Sequence, residues 1–285
     1  MVSSQTDLLI QTVNNEANRL GDFLTGLDQQ MWSRDSACEG WVIGDVVAHL
    51  AGGAATWANS ITRAVAGDSG PPEGQDFMAP GQRGSETIGQ AARDSHQQVG
   101  MGLMENFRTG YAGLAQVLAG LKADDWDKPC FHRRGPMPIV DFVSLRLQEL
   151  AIHGWDIRSG LDQNATVSEE ALPVLAGRVP RWLGFAFVSG LDLPTPVRYR
   201  FDIASPVAVQ EDVVVNRDTF SIQPSGRGIA DVTFRGNTGN YILLIYGRLA
   251  PSHGVATGRL TIEGSQKEAR SEEHTSELQS RAYLV

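Results

Sequence analysis

Glu149 and His153 stand four residues apart in Glu149-Leu-Ala-Ile-His153. On a helix that spacing places both side chains on one face, one turn apart. Far upstream, His49 closes Trp41-Val-Ile-Gly-Asp-Val-Val-Ala-His49. Two imidazoles and a carboxylate that converge on one point make a three-ligand site for a divalent metal. Structural zinc sites take four protein ligands, whereas catalytic sites take three and keep a position for water or substrate. The residues by themselves leave other readings open. A lone histidine is often a satisfied core or helix-surface residue, and Glu–His pairs at this spacing occur on ordinary helix surfaces. Context adds weight, because Glu149 lies among Leu145, Leu147, Leu150 and Ile152. An unpaired carboxylate on such an apolar face is costly. A metal would remove that cost, and so would an arginine partner such as Arg146.

The remaining chemistry-bearing residues divide less sharply. Asp45 precedes His49 by four residues; it either orients that imidazole or serves the positive end of its helix. Asp156, one turn after His153, is open to the same two kinds of reading. His96 and His132 have no partner at ligand spacing and are read as exposed or hydrogen-bonded. Cys38 and Cys130 form no CxxC pair and have no local base, so nucleophilic catalysis is not expected of them. Trp41, Trp57 and Trp155 read as core. Gly226-Arg-Gly228 is too short to argue for phosphate binding.

The elements that must position these residues are helices in the first part of the chain. Apolar residues at helical spacing predict helices over residues 8–27, 42–67, 87–121 and 139–158. A Gly/Pro-rich loop over residues 70–84 links the second to the third. That pattern predicts a four-helix bundle at residues 5–160, a common setting for metal sites built from inward-facing side chains. Beyond Gly160 the pattern changes. A helix over 168–188 is followed by strand-like stretches at 197–203, 213–215, 219–222, 230–234 and 258–264, with a buried helix at 238–248. Residues 166–269 therefore read as a small α+β domain, and the fold class as mixed, a helical bundle followed by α+β. Residues 270–285, beginning Arg270-Ser-Glu-Glu-His, resemble the translation of a sequencing adapter. They are left out of fold reasoning with His274, and the native chain is expected to continue past Ala269 with other residues.

With 285 residues and a formal net charge of −9, the chain carries no basic field of the kind that attracts nucleic acid or anionic membrane. No apolar run approaches a membrane span. Two isolated cysteines and a start without signal-peptide character predict a reducing cytoplasm. The expected assembly is a monomer or small homo-oligomer.

Both motifs resemble signatures of the mycothiol-dependent maleylpyruvate isomerase family. Residues 41–52, running through His49 to Gly52, are similar to its helix-two signature, and Glu149-Leu-Ala-Ile-His-Gly-Trp-Asp156 to its helix-four signature. The resemblance covers residues 5–269. It implies a DinB-like metal-binding bundle followed by a sterol carrier protein-like domain, with His49, Glu149 and His153 as zinc ligands and mycothiol as thiol cosubstrate. It also implies an active-site arginine from the second domain, for which Arg248 is the nearest match and Arg235 the other candidate. The implied activity is isomerisation or S-transfer on a small, acidic electrophile. Members differ in chemistry, and the chain stops short of that domain's last helix. Two other classes stay open: a non-haem Fe(II) enzyme built on the same two-His-one-carboxylate set, and a non-catalytic module that binds a small apolar ligand.

Overall fold

The computed structural model describes residues 4–79, 85–187, 190, 193–226 and 228–264. The chain divides into two compact units at Thr166 and Val167, each described below by itself. The adapter-like tail lies outside the described residues.

The first unit is helical because its apolar residues recur at helical spacing, and its first two helix starts are capped. Ser4 and Asp7 cap α1 (Gln5–Thr25) reciprocally, each backbone N–H donating to the other's side chain at 3.1 Å. α2 (Ile43–Val65) begins where Asp45 accepts from the Val42 N–H at 3.1 Å. α3 (Ser85–Val99) and α4 (Leu103–Ala119) follow the long connection. A two-residue hairpin, β1 (Pro129–Cys130) paired antiparallel with β2 (Met137–Pro138), leads into α5 (Ile139–Ser159). α1 packs on α4 and α5, while α2 packs on α3, α4 and α5. Leu20 and Leu24 of α1, Leu50 and Ile61 of α2, Phe107 and Leu114 of α4, and Leu147 and Leu150 of α5 fill the core.

One sequence expectation needs correction. The helix expected over residues 87–121 is two helices. Gly100 takes a left-handed φ of +53°, which glycine adopts without steric cost, and a short 3-10 turn over Gly100–Gly102 redirects the chain. α4 is therefore the bundle's fourth long helix beside α1, α2 and α5, and α3 is an additional layer on α2.

α5 positions the site. Every residue from Leu145 to Ile157 is buried, including Arg146, Gln148, Glu149, His153 and Asp156. A helix buried all round sits at the centre of its unit, so its polar residues must find partners there or stay unsatisfied.

The second unit begins with α6 (Leu172–Ala186), which packs on α7 (Thr238–Ile245). The Trp182 indole N–H donates to the Ile245 carbonyl at 3.0 Å, and its ring stacks on Tyr246 at 4.6 Å. The strands are β3 (Val197–Ile203), β4 (Val209–Val215), β5 (Phe220–Pro224), β6 (Val232–Gly236) and β7 (Leu260–Gly264). Their order is β5-β4-β3-β6-β7, with β3–β6 parallel and the other pairs antiparallel. A short helix, α8 (Pro251–Ala256), was not anticipated. β4 also starts earlier than expected. Asp212 breaks the apolar alternation, yet it is fully buried against Arg198 and Arg200. Among the described residues no helix is long and apolar enough to cross a membrane.

Candidate metal centre

α2 lies against α5, and the contact brings His49 to Glu149 and His153. The His49 Nε2–H donates to Glu149 Oε2 at 3.0 Å, and His153 Nε2 lies 3.7 Å from the same oxygen. Ligand-competent atoms of the three residues all lie within 4.8 Å of one another. The two imidazole rings are 5.1 Å apart and nearly perpendicular. Glu149 and His153 are sealed from solvent, whereas the His49 side chain keeps 12% of its surface exposed. Any approach to the cluster is thus on the His49 side.

The electrostatics suit a cation. Burial holds the His49 imidazole below its usual 6.5, despite the opposing hydrogen bond and charge of Glu149. For Glu149, burial pushes the carboxyl up. The His49 hydrogen bond and the neighbouring charges of His153, His49 and Arg146 outweigh it, and the net shift is downward. A neutral imidazole and an ionised carboxylate are the protonation states that metal binding requires. Among the described residues, two buried atoms, Glu149 Oε1 and His153 Nε2, have no hydrogen-bond partner. Orphaned buried acceptors of this kind are rare, and a divalent cation at the cluster would satisfy both.

Behind His153, Asp156 Oδ2 accepts from Nδ1–H at 2.9 Å, with both side chains buried. In the neutral ring this leaves Nε2 as the lone-pair nitrogen facing Glu149. Cys38, His153 and Asp156 form a second cluster of ligand-competent atoms within 4.8 Å of one another. It shares His153, whose Nδ1 is already engaged by Asp156, so the His49 set is the better cradle. Trp41 walls the centre. Its ring lies parallel to His153 at 6.4 Å and edge-on to His49 at 5.5 Å.

Other candidates find different places. Asp45 does not orient His49; besides capping α2, its Oδ1 accepts from His96 Nδ1 at 2.8 Å. His132 Nδ1 accepts from the Arg134 N–H at 3.3 Å. Trp57 stacks on Phe142 at 3.9 Å, and the Trp155 indole donates to the Ala165 carbonyl. Arg248 belongs to the second unit, where its Nη1 donates to the Tyr246 carbonyl at 3.2 Å. Arg235, on β6, is ion-paired with Asp202 and Glu263. Gly226-Arg-Gly228 lies partly outside the described residues. In sequence Asp156 is open to two readings, Cys38 has no local base and Trp41 reads as core. The i, i+3 step from His153 to Asp156 on one helix face was the available signal for Asp156. Nothing local in sequence signalled the other two.

A family model described as the mycothiol maleylpyruvate isomerase N-terminal domain matches residues 13–158. A second, described as the SCP-2 sterol transfer family, matches residues 196–273. No curated protein matches. Among solved structures, a crystal structure of the mycothiol-dependent maleylpyruvate isomerase superposes with a TM-score of 0.64 at 17% identity, covering 91% of this chain and 93% of that one. A histidine-to-alanine mutant of that isomerase superposes with a TM-score of 0.61 at 15% identity and the same coverage. At these identities the likeness shows a shared fold.

Proposed function

This chain belongs to the mycothiol maleylpyruvate isomerase family, and from that premise we propose that it is a zinc- and mycothiol-dependent enzyme, an isomerase or a thiol S-transferase, acting on a small, acidic electrophile. The observation that carries the metal reading is the pair of buried, unpartnered acceptors, Glu149 Oε1 and His153 Nε2, clustered with His49. A zinc ion held there would keep a bound thiol deprotonated at neutral pH, because borderline-soft Zn²⁺ binds thiolate well.

The chain's own residues prepare for that chemistry. His49, Glu149 and His153 supply three protein ligands, the number that leaves a position for an exogenous group. Asp156 fixes the tautomer and the ring orientation of His153. Trp41 packs against both imidazoles and keeps water from that side. Arg248 enters only through the family resemblance, as the candidate to hold an acidic group of substrate or thiol, a task suited to the planar guanidinium fork. The protein need supply no nucleophile of its own. Cys130 is fully buried, and burial pushes its thiol up to about 12.

Metal analysis combined with a thiol-swap assay tests this reading. Purified protein should retain zinc and turn over unsaturated acids with mycothiol rather than glutathione. His153→Ala should lose both zinc and turnover. Full activity in a metal-free variant contradicts the proposal. Iron with oxygen-dependent turnover would instead favour the oxygenase reading of the same two-His-one-carboxylate set.

A further inference from the structure

Arg146 lies one turn before Glu149 on α5, with its side chain about as buried as any in the protein, at 2% exposed. Among the described residues its Nε and Nη2 have no hydrogen-bond partner. The nearest carboxylate oxygen, Glu149 Oε2, lies 3.9 Å from Nη2. That is an ion-pair distance but not a hydrogen bond. A guanidinium kept only to neutralise Glu149 would approach to about 2.7–2.9 Å and dock two N–H groups. This protein contains such a pair: Arg200 holds Asp212 through Nε at 2.8 Å and Nη2 at 2.9 Å. In Arg146 the corresponding edge is buried and unpaired.

The surroundings hold that edge in place. A Cβ built on Gly53 of α2 would overlap Arg146 Nη1, so the guanidinium occupies space that only glycine leaves. The Trp57 ring lies 5.1 Å from the guanidinium carbon, a cation–π distance. His49, Gly53 and Trp57 recur every four residues, so they form one row along α2 and place Arg146 one turn along the groove from the metal cluster. A second cation shares this field. Arg133, in the turn between β1 and β2, has a buried, unpartnered Nε. Burial presses its guanidinium down to about 10, and Glu149 opposes the shift. Once Glu149 is committed to a metal, Arg146 is a buried cation without a counter-ion, a state that costs several kcal/mol unless an anion arrives.

We propose that the Nε/Nη2 edge of Arg146 is a carboxylate-binding subsite of the helical unit, receiving an acidic group of the substrate beside the metal ligands. The proposal rests on the metal-centre reading for its location and is independent of Arg248.

Calorimetric titration of the full chain with maleate, a small unsaturated dicarboxylate, tests it, with neutral dimethyl maleate as control. Zinc-loaded and zinc-free protein are both titrated. Maleate should bind the wild type, and Arg146→Met should weaken it by about tenfold or more, the size of a lost charge-assisted pair. Arg146→Lys should retain part of the affinity, since it keeps the charge but not the fork. Zinc content and any dimethyl maleate binding should be unchanged. Equal maleate affinity in wild type and Arg146→Met overturns the proposal, as does a wild type that binds no maleate. If the Met variant does not fold, the Lys variant decides: undiminished affinity there overturns it. A wild type that binds no zinc would sink the metal reading instead; Nε and Nη2 of Arg146 are unpaired without a metal as well, so the zinc-free titrations would still decide its role.

Discussion

Removing the carboxylate behind His153 should loosen the grip on metal while leaving the bundle folded. Asp156 Oδ2 accepts from His153 Nδ1–H at 2.9 Å, and the two side chains are 0% and 1% exposed. A hydrogen bond to a charged group is worth about 1.5–3 kcal/mol. The stronger polarisation of an imidazole in its metal-bound state carries part of that into metal affinity. At 1.4 kcal/mol per decade, the upper bound is about 10- to 150-fold in dissociation constant. Asp156→Ala removes charge, acceptor and tautomer control together, so its effect should approach that bound without exceeding it. Asp156→Asn keeps shape and a carbonyl acceptor but loses the charge, so its effect should be smaller. Competition against a chromophoric chelator gives the metal affinity of each variant, with thermal melting of the metal-free protein alongside. If both variants melt lower but bind zinc as tightly as the wild type, Asp156 is only a packing residue and the reasoning fails.

Three further predictions follow from the same geometry. The folded pKa of His49 lies below its ordinary 6.5, so the unfolded chain takes up that proton first. The resulting stability is fully present above 6.5 and is lost as pH falls from there through the folded value. The melting temperature of the metal-free protein should therefore drop between pH 7.5 and 5.5, and His49→Gln should flatten the drop; an unchanged slope counts against it. Gly53→Ala should change stability by no more than about 1 kcal/mol, because the clash falls on a side-chain tip. It should nevertheless weaken maleate binding, and unaltered binding would contradict the subsite. Cys130, with its thiol pushed up to about 12, should resist iodoacetamide at neutral pH in the folded protein, as peptide mapping would report; rapid labelling would contradict its buried placement.

How much of this was legible in the sequence differs residue by residue. Glu149 and His153 could be paired on sight because helix geometry alone fixes their relation. His49 needed only the expectation that two bundle helices face each other. Asp45 and Asp156 were indistinguishable locally, each one turn from a candidate ligand histidine. Tertiary packing separates them, since α3 delivers His96 to Asp45 and leaves Asp156 to His153. Arg146 was visible only as a rival partner for Glu149. Its unpaired donor edge and its slot against Gly53 exist only in the packed groove. The break between α3 and α4 was hidden because apolar spacing runs across Gly100, where the backbone turns. β4 was hidden for the opposite reason: Asp212 reads as a surface residue until Arg198 and Arg200 bury it.

A three-protein-ligand zinc centre with a position for a thiol has a spectroscopic signature. X-ray absorption at the zinc edge, recorded before and after mycothiol is added, tests it most directly. Before the thiol is added, zinc should be bound by nitrogen and oxygen donors only, from His49, Glu149, His153 and solvent. One sulfur at about 2.3 Å should appear when the thiol is added. A shell without sulfur at saturating mycothiol, or zinc that His153→Ala retains unchanged, would contradict it.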